Sequence, residues 1–297
     1  MTDDKPAGAA PDPVIRPPKL RLPPLACDAH CHVFGPFARF PLPADRSFTP
    51  PEAPETALRT LHRALGIERA VIVHSQGHGL DHWPLLEALA AGAGRYRGVA
   101  VLRPDTAPAE VARLDAAGIC GVRFNFLAHL GGGPSAETMR AVMALVRPFG
   151  WHVAVHVTGA DLIRYADAIA AIDPRVVIDH MARPDLDHEL EPCRAILFRL
   201  LDSGRVWVKL SGSDRLSKTG APYRDVVPYA RGLAEHAPER VLWGTDWPHV
   251  NIKGPMPEDA ALVDLIAEIA PSAAMRQRLL VDNPIDLFGF DKNSVTP

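Results

Sequence analysis

The sequence has no apolar run near the roughly 20 residues that a membrane-spanning helix needs, and its first residues lack the apolar core of a secretory signal. No membrane insertion is expected. Basic charge is not in excess either: 32 Lys and Arg stand against 35 Asp and Glu, a net charge of −3. That balance gives no basic field for nucleic acid and no polybasic stretch for an anionic membrane surface. Cysteine is scarce. Cys27, Cys31, Cys120 and Cys193 form no Cys-x-x-Cys pair and no disulfide framework, which suits a reducing cytoplasm and makes Cys31 a structural residue. No Gly-rich dinucleotide turn follows the first apolar run, which weakens a nucleotide-binding open sheet. These absences leave a globular protein whose default partner is a small molecule.

With 297 residues and 47% hydrophobic content, the chain can bury a full core. Residues 1–24 are proline-rich and open with acidic residues; they read as a flexible leader that wraps onto the domain near Leu25, and residues 291–297 read as a tail. Between them, over 25–290, short β-rich runs alternate with amphipathic stretches. Eight strands are expected: 26–32, 69–74, 96–103, 119–126, 151–157, 175–180, 205–211 and 240–246. Most are nearly continuous apolar runs, as in strands covered on both faces. A helix is expected over 257–270, where Leu262, Ile266 and Ile269 share one face and Pro257 fits the start. No internal linker divides the chain. The regular alternation predicts a single-domain α/β fold, a (β/α)8 barrel, ahead of a doubly wound sheet.

A barrel places its chemistry at the C-terminal ends of its strands. In "DAHCHVFG", His30 and His32 are separated by one residue, so in a strand both imidazoles face one side while Cys31 faces the other. The fifth expected strand reaches His156, the sixth ends at His180 and the eighth at Asp246. Each alone has a dull explanation, a core histidine or a turn-capping aspartate. Their common placement at strand ends argues for one site. His30, His32, His156 and Asp246 would offer three nitrogens and one oxygen, a donor set suited to one Zn²⁺ with water or substrate completing the shell. Asp246 would take a proton from the attacking water, and His180 would contact the substrate carbonyl or complete the metal shell.

The ordered motifs "DAHCHVFG", "RFNFL", "VIDHMARPD" and "WGTDWPH" resemble the amidohydrolase superfamily, most closely its lactonase branch of 2-pyrone-4,6-dicarboxylate and 4-sulfomuconolactone hydrolases, over about residues 25–290. The resemblance implies a distorted (β/α)8 barrel, hydrolysis of a carboxylated lactone from aromatic-compound breakdown, and Asp246 as general base beside His30, His32 and His180. It also implies anion contacts by Arg123 and Arg215, whose guanidinium forks suit a carboxylate or sulfonate. The chain departs from the pyrone dicarboxylate hydrolases, which work without a required metal, in carrying His156 where they have tyrosine. That difference favours zinc. It departs again at His129, where they carry arginine, and at Phe48, where they carry tyrosine, so the lactone chemistry carries over better than the substrate's identity.

Other residues fill out the expected site. Ser75 and His129 are candidate substrate contacts, and His249, near Asp246, is expected to orient it or the substrate. His74 and His78 are possible pocket walls. His62, His82, His188 and His236 are expected to face solvent. Rival readings are a metal-dependent decarboxylase of an aromatic acid, a sugar-lactone isomerase, and a barrel that only binds.

Overall fold

The structure, a computed structural model, describes residues 8–12, 14–127, 132–252 and 254–292. The eight expected strands form, each shortened at one or both ends: β1 (Cys27–Cys31), β2 (Arg69–Val73), β3 (Tyr96–Ala100), β4 (Ile119–Asn125), β5 (His152–His156), β6 (Val176–Ile178), β7 (Val206–Lys209) and β8 (Val241–Leu242). They lie side by side in chain order, and every neighbouring pair is parallel. Backbone bonds bring the two edges together: Ala29 N donates to Trp243 O, and Asp246 N to His30 O, both at 2.8 Å. The result is a nearly closed (β/α)8 barrel in a single domain. Gly244 makes the closure possible, because a Cβ there would stand 2.5 Å from the His30 nitrogen.

Helices return the chain between strands: α1 (Glu55–Leu65), α2 (Trp83–Gly92), α3 (Pro108–Ala116), α4 (Ala136–Val146), α5 (Gly159–Ala170), α6 (Leu190–Asp202), the single turn α7 (Ser213–Leu216), α8 (Val227–His236) and α9 (Asp259–Ile269). Two more, α10 (Ala273–Gln277) and α11 (Asn283–Phe288), finish the domain. In α1 the apolar stripe Leu58, Leu61 and Leu65 is buried and Gly66 closes the end in a left-handed conformation. Each such leucine contributes about 1.5–3 kcal/mol on burial. The helix expected from 257 starts two residues later, because Glu258 is still extended.

Outward strand residues such as Val153, Val155, Ile178 and Val208 join the helices in the main core. Inward ones, including Ala29, Val73, Val99, Ala154, Val177 and Trp207, form a second core inside the barrel, closed at the lower end by Leu287, Phe288 and Phe290. The lower half of the barrel is therefore filled with apolar groups, and only the upper, C-terminal half is left for chemistry. The described part of the leader lies against the domain: Gly8 N donates to Thr49 O and Leu20 N to Asp264, each at 2.8 Å.

Candidate active site

A register shift in β1 between Asp28 and Cys31 turns both His30 and His32 into the upper barrel, while Cys31 packs outward in the helix-facing core. The two imidazoles meet edge to face at 5.0 Å. Opposite them Asp246 sits beyond the end of β8, buried, with φ of 63°. This is why the ladder of β8 stops early: the chain leaves the sheet at Gly244 to aim the carboxylate inward. Asp246 Oδ1 is the focus of three imidazoles, with Nε2 of His32 at 3.4 Å, of His30 at 3.6 Å and of His180 at 3.7 Å. Its other oxygen accepts from Arg215 Nε at 2.5 Å. Burial alone would raise the Asp246 carboxyl, but the Arg215 guanidinium bonded to it holds it well below the usual carboxylate range.

The orientation of these rings is set from behind. His32 Nδ1 lies 2.7 Å from the Val73 carbonyl, which only an N–H can satisfy, so the Nε2 lone pair faces Asp246. His180 Nδ1 pairs with Ser211 Oγ at 2.8 Å. His30 Nδ1 faces two groups, Asp179 Oδ1 at 3.3 Å and Lys209 Nζ at 3.0 Å. With a proton on Nδ1 given to Asp179, its Nε2 is bare; with Lys209 donating to Nδ1, its Nε2 carries the N–H.

Two residues of this network, Asp179 and Lys209, went unnoticed in the sequence, as did Asp28. Lys209 and Asp179 are fully buried and 3.1 Å apart, and Asp179 also accepts from Arg123 Nε at 2.9 Å. Burial would raise Asp179, yet Lys209, His30 and Arg123 hold it well below its ordinary value. Burial and then Lys209 push His30 down to about 3. The signal was available: a lysine in "RVWVKL" and an aspartate in "VVID" are charges inside apolar strands, as conspicuous as Arg123 in "VRFNF". Asp28 accepts from the backbone of His30 and of Thr245, each at 3.0 Å, and from Thr245 Oγ1 at 2.6 Å, and so pins the two strand ends that carry the histidine pair and Asp246.

Above this cluster opens a cavity of about 500 Å³ whose wall includes His32, Ser75, Arg123, His156, His180, Arg183, Arg215 and Asp246. His156 stands in the wall with its Nδ1 paired to Asn125 Oδ1 at 3.1 Å and its ring 5.4 Å from that of His180. It lies outside the tight group of His30, His32 and Asp246, whose ligand atoms fall within 4.8 Å of one another. Phe48 also lines the cavity, and Ser75 accepts from Gly77 N at 3.3 Å while facing it. His129 lies outside the described residues.

His249, expected to orient Asp246 or the substrate, does not line the cavity; the left-handed turn after Asp246 points its ring at Asp259, 3.1 Å away, and toward Asp214 at 4.0 Å. It braces the loop from behind. His62 and His82 are buried rather than solvent-facing: His62 pairs with Asp28 at 3.1 Å and the His82 ring packs, tilted, against that of His74 at 4.4 Å, so tertiary partners decide their side. His74 and His78 are buried too, His74 paired with the Gly79 carbonyl and His78 accepting from Gly35 N, and neither lines the cavity. His188 and His236 are exposed.

The donor set fits a small divalent ion. Metal–ligand bonds of about 2.0–2.2 Å in a tetrahedron put neighbouring ligand atoms about 3.4 Å apart, close to the spacings around Asp246 Oδ1, and His30 Nε2 is buried with no hydrogen-bond partner among the described residues. His180 is better placed than His156 to be the third nitrogen.

Comparison with known proteins agrees with this architecture. The chain is 41% identical over 281 residues, covering 91% of it and 92% of the relative, to a protein of Comamonas testosteroni named as a 2-pyrone-4,6-dicarboxylate hydrolase. It is 37% identical over 295 residues, 96% of this chain and 99% of the relative, to a 4-sulfomuconolactone hydrolase of Rhizobium radiobacter. An apo crystal structure from Agrobacterium tumefaciens, 32% identical, superposes with a TM-score of 0.81 over 92% of this chain and 99% of that one. The amidohydrolase family profile matches residues 27–290, and with these relatives it shows that the chain is an enzyme that belongs to the amidohydrolase family.

Proposed function

We propose that the enzyme hydrolyses the ester bond of an anionic lactone from the breakdown of aromatic compounds, of the 2-pyrone-4,6-dicarboxylate or 4-sulfomuconolactone type. One observation carries this reading: a single buried carboxylate oxygen, on Asp246, faced by three imidazole nitrogens in a cavity walled by guanidinium groups. The lactone carbonyl sits beside His180, and Arg123 and Arg215 fix its anionic groups, with Ser75 and His129 as further contacts. A water molecule held by His32 and Asp246 adds to the carbonyl carbon. Asp246 takes the proton from that water and returns it to the ring oxygen as the C–O bond breaks, so the product gains one water and one carboxylate. His249 acts behind Asp246 as a brace.

His30, His32 and Asp246, with His180 or His156, would hold one Zn²⁺ per chain. Such an ion supplies Lewis-acid polarisation and an acidified water when bound. The four cysteines are free, which suits a cytoplasmic enzyme, and no helix among the described residues is long and apolar enough to cross a membrane.

Asp246→Asn tests the reading. On both lactones kcat is expected to fall about 10²–10⁴-fold with the fold intact, as for loss of a general base; a drop of less than tenfold would remove Asp246 from that role. Product mass one water heavier distinguishes hydrolysis from isomerisation, and CO2 release would point to decarboxylation. Metal analysis should find close to one Zn per chain, and a fully active zinc-free preparation would refute the metal assignment.

A further inference from the structure

Three guanidinium groups face the cavity, and two of them already hold a carboxylate of the protein through part of their N–H groups. Arg123 Nε donates to Asp179 at 2.9 Å. Arg215 donates through Nε to Asp246 at 2.5 Å and through Nη2 to the Val250 carbonyl at 3.1 Å. Arg183, from the "HMARPD" segment, is different: its side chain lines the same cavity with no hydrogen bond or ion pair among the described residues. Burial and the nearby Arg215 both disfavour its charge. A guanidinium left partly desolvated beside another guanidinium is a costly arrangement unless an anion arrives to share it.

The backbone shows that the position is enforced. His180, Met181, Ala182 and Arg183 have φ of 52°, 53°, 61° and 48°, a left-handed run of four non-glycine residues. Each such residue costs roughly 1–2 kcal/mol of backbone strain. The turn is held by Arg183 N donating to His180 O at 3.0 Å, by Tyr229 Oη donating to Met181 O at 3.1 Å and by Gly159 N donating to Arg183 O at 3.4 Å. Its effect is to set Arg183 in the same wall as His180, three residues earlier. A strained element retained at a site is a pointer to what it positions.

The cavity wall thus holds three guanidinium groups against one carboxylate, Asp246. His249, Asp214 and Asp259 stand behind Arg215 and do not line the cavity, and Lys209 and Asp179 pair with each other beneath it. We propose that Arg183 is a specificity-determining residue: it binds a second anionic group, carboxylate or sulfonate, on the ring substrate and makes the enzyme selective for dianionic over monoanionic lactones. This rests on the lactone-hydrolase reading above and assigns the substrate class within it.

The test compares the full-length wild type with Arg183→Met and Arg183→Lys. Turnover is measured on 2-pyrone-4,6-dicarboxylate, on 4-sulfomuconolactone and on a 2-pyrone with a single carboxylate. Binding of two unreactive probes, isophthalate with two carboxylates and benzoate with one, is measured by calorimetry. For Arg183→Met, KM on the dianions should rise about 10- to 100-fold, the loss expected of one charge-assisted contact, with kcat changed less than about threefold. The monocarboxylate KM should barely move. Isophthalate binding should weaken as much as the dianion KM, benzoate binding should not, and Arg183→Lys should fall between. Whichever dianion suffers the larger change identifies carboxylate or sulfonate as the group bound. Equal effects on one- and two-charge ligands, or unchanged isophthalate binding, would overturn the proposal. Thermal melting checks that Arg183→Met folds; if it does not, Arg183→Lys carries the same comparison. Should the wild type hydrolyse none of the lactones while isophthalate binding still depends on Arg183, the hydrolase reading fails and the anion contact stands.

Discussion

His152 and His156 occupy the same inward face of β5, four residues apart, and both are buried. The lower one, His152, packs edge-on against Phe288 at 5.3 Å within the plugged end of the barrel, and burial brings it down to about 3. Gly121 makes room for it, since a Cβ there would fall 2.3 Å from the ring. The upper one stands in the cavity wall, its Nδ1 paired with Asn125 Oδ1 at 3.1 Å. One histidine fills space and the other faces the cavity. What separates them is height in the barrel, because α11 and Phe290 close one end and no helix among the described residues closes the other.

The same contrast holds for charge. The lower half of the barrel is walled by valine, alanine and tryptophan, whereas the upper half carries Lys209, Asp179, Arg123 and Asp246 within one connected network. Lys209 ties the network together, fully buried with its ammonium on Asp179 and His30. The strongest way to break the comparison is Lys209→Met, which leaves Asp179 with Arg123 as its only cationic side chain among the described residues and removes the ammonium from His30. It should lower stability by about 1–3 kcal/mol in chemical denaturation, as for one buried charge-assisted bond left unmade; a loss under about 0.5 kcal/mol would mean that Lys209 adds nothing to the network.

Paired substitutions sharpen it. His156→Leu should reduce kcat/KM on the lactones about 10- to 100-fold, while His152→Leu changes it less than about threefold; similar losses at both positions would erase the distinction between the two ends. His152 has its own readout in pH. An ordinary value of 6.5 is lowered on folding to about 3, so the unfolded chain binds the proton more readily between those limits. Stability from this group is complete above pH 6.5 and declines as the pH falls toward 3, by about 1.4 kcal/mol per pH unit. His152→Leu should flatten the stability profile in that window, as followed by urea unfolding at several pH values. An unaltered slope would show that His152 is protonated in place.

The smallest expected effect is at the strained turn. Ala182 has φ of 61°, and Ala182→Gly removes roughly 1 kcal/mol of strain at the expense of a freer unfolded chain. Stability should rise by up to about 1 kcal/mol in denaturation. A clear loss would show that the left-handed run is not strained.

Much of this molecule was legible in its sequence. Strands covered on both faces must be apolar throughout, so the eight runs stood out, and a barrel follows from their alternation with helices. His30, His32, His180 and Asp246 were marked by lying at strand ends, and the structure gathers them around one carboxylate oxygen. The faces of His62 and His82 were not legible, because a histidine in a helix or turn is turned inward or outward by what packs on it, here Asp28 and His74. Asp28, Asp179 and Lys209 passed unread for a related reason: each is tolerable only because a partner distant in the chain neutralises or caps it.

The sequence by itself determined the order of elements, the apolar register of the strands and which side chains have the chemistry to act. Tertiary structure alone decided which of them meet. Barrel closure at Gly244, the register shift in β1 and the left-handed turn at 180–183 are backbone solutions that exist only when strands far apart in the chain pack against each other. They set the distances between one carboxylate, three imidazoles and the guanidinium groups above them.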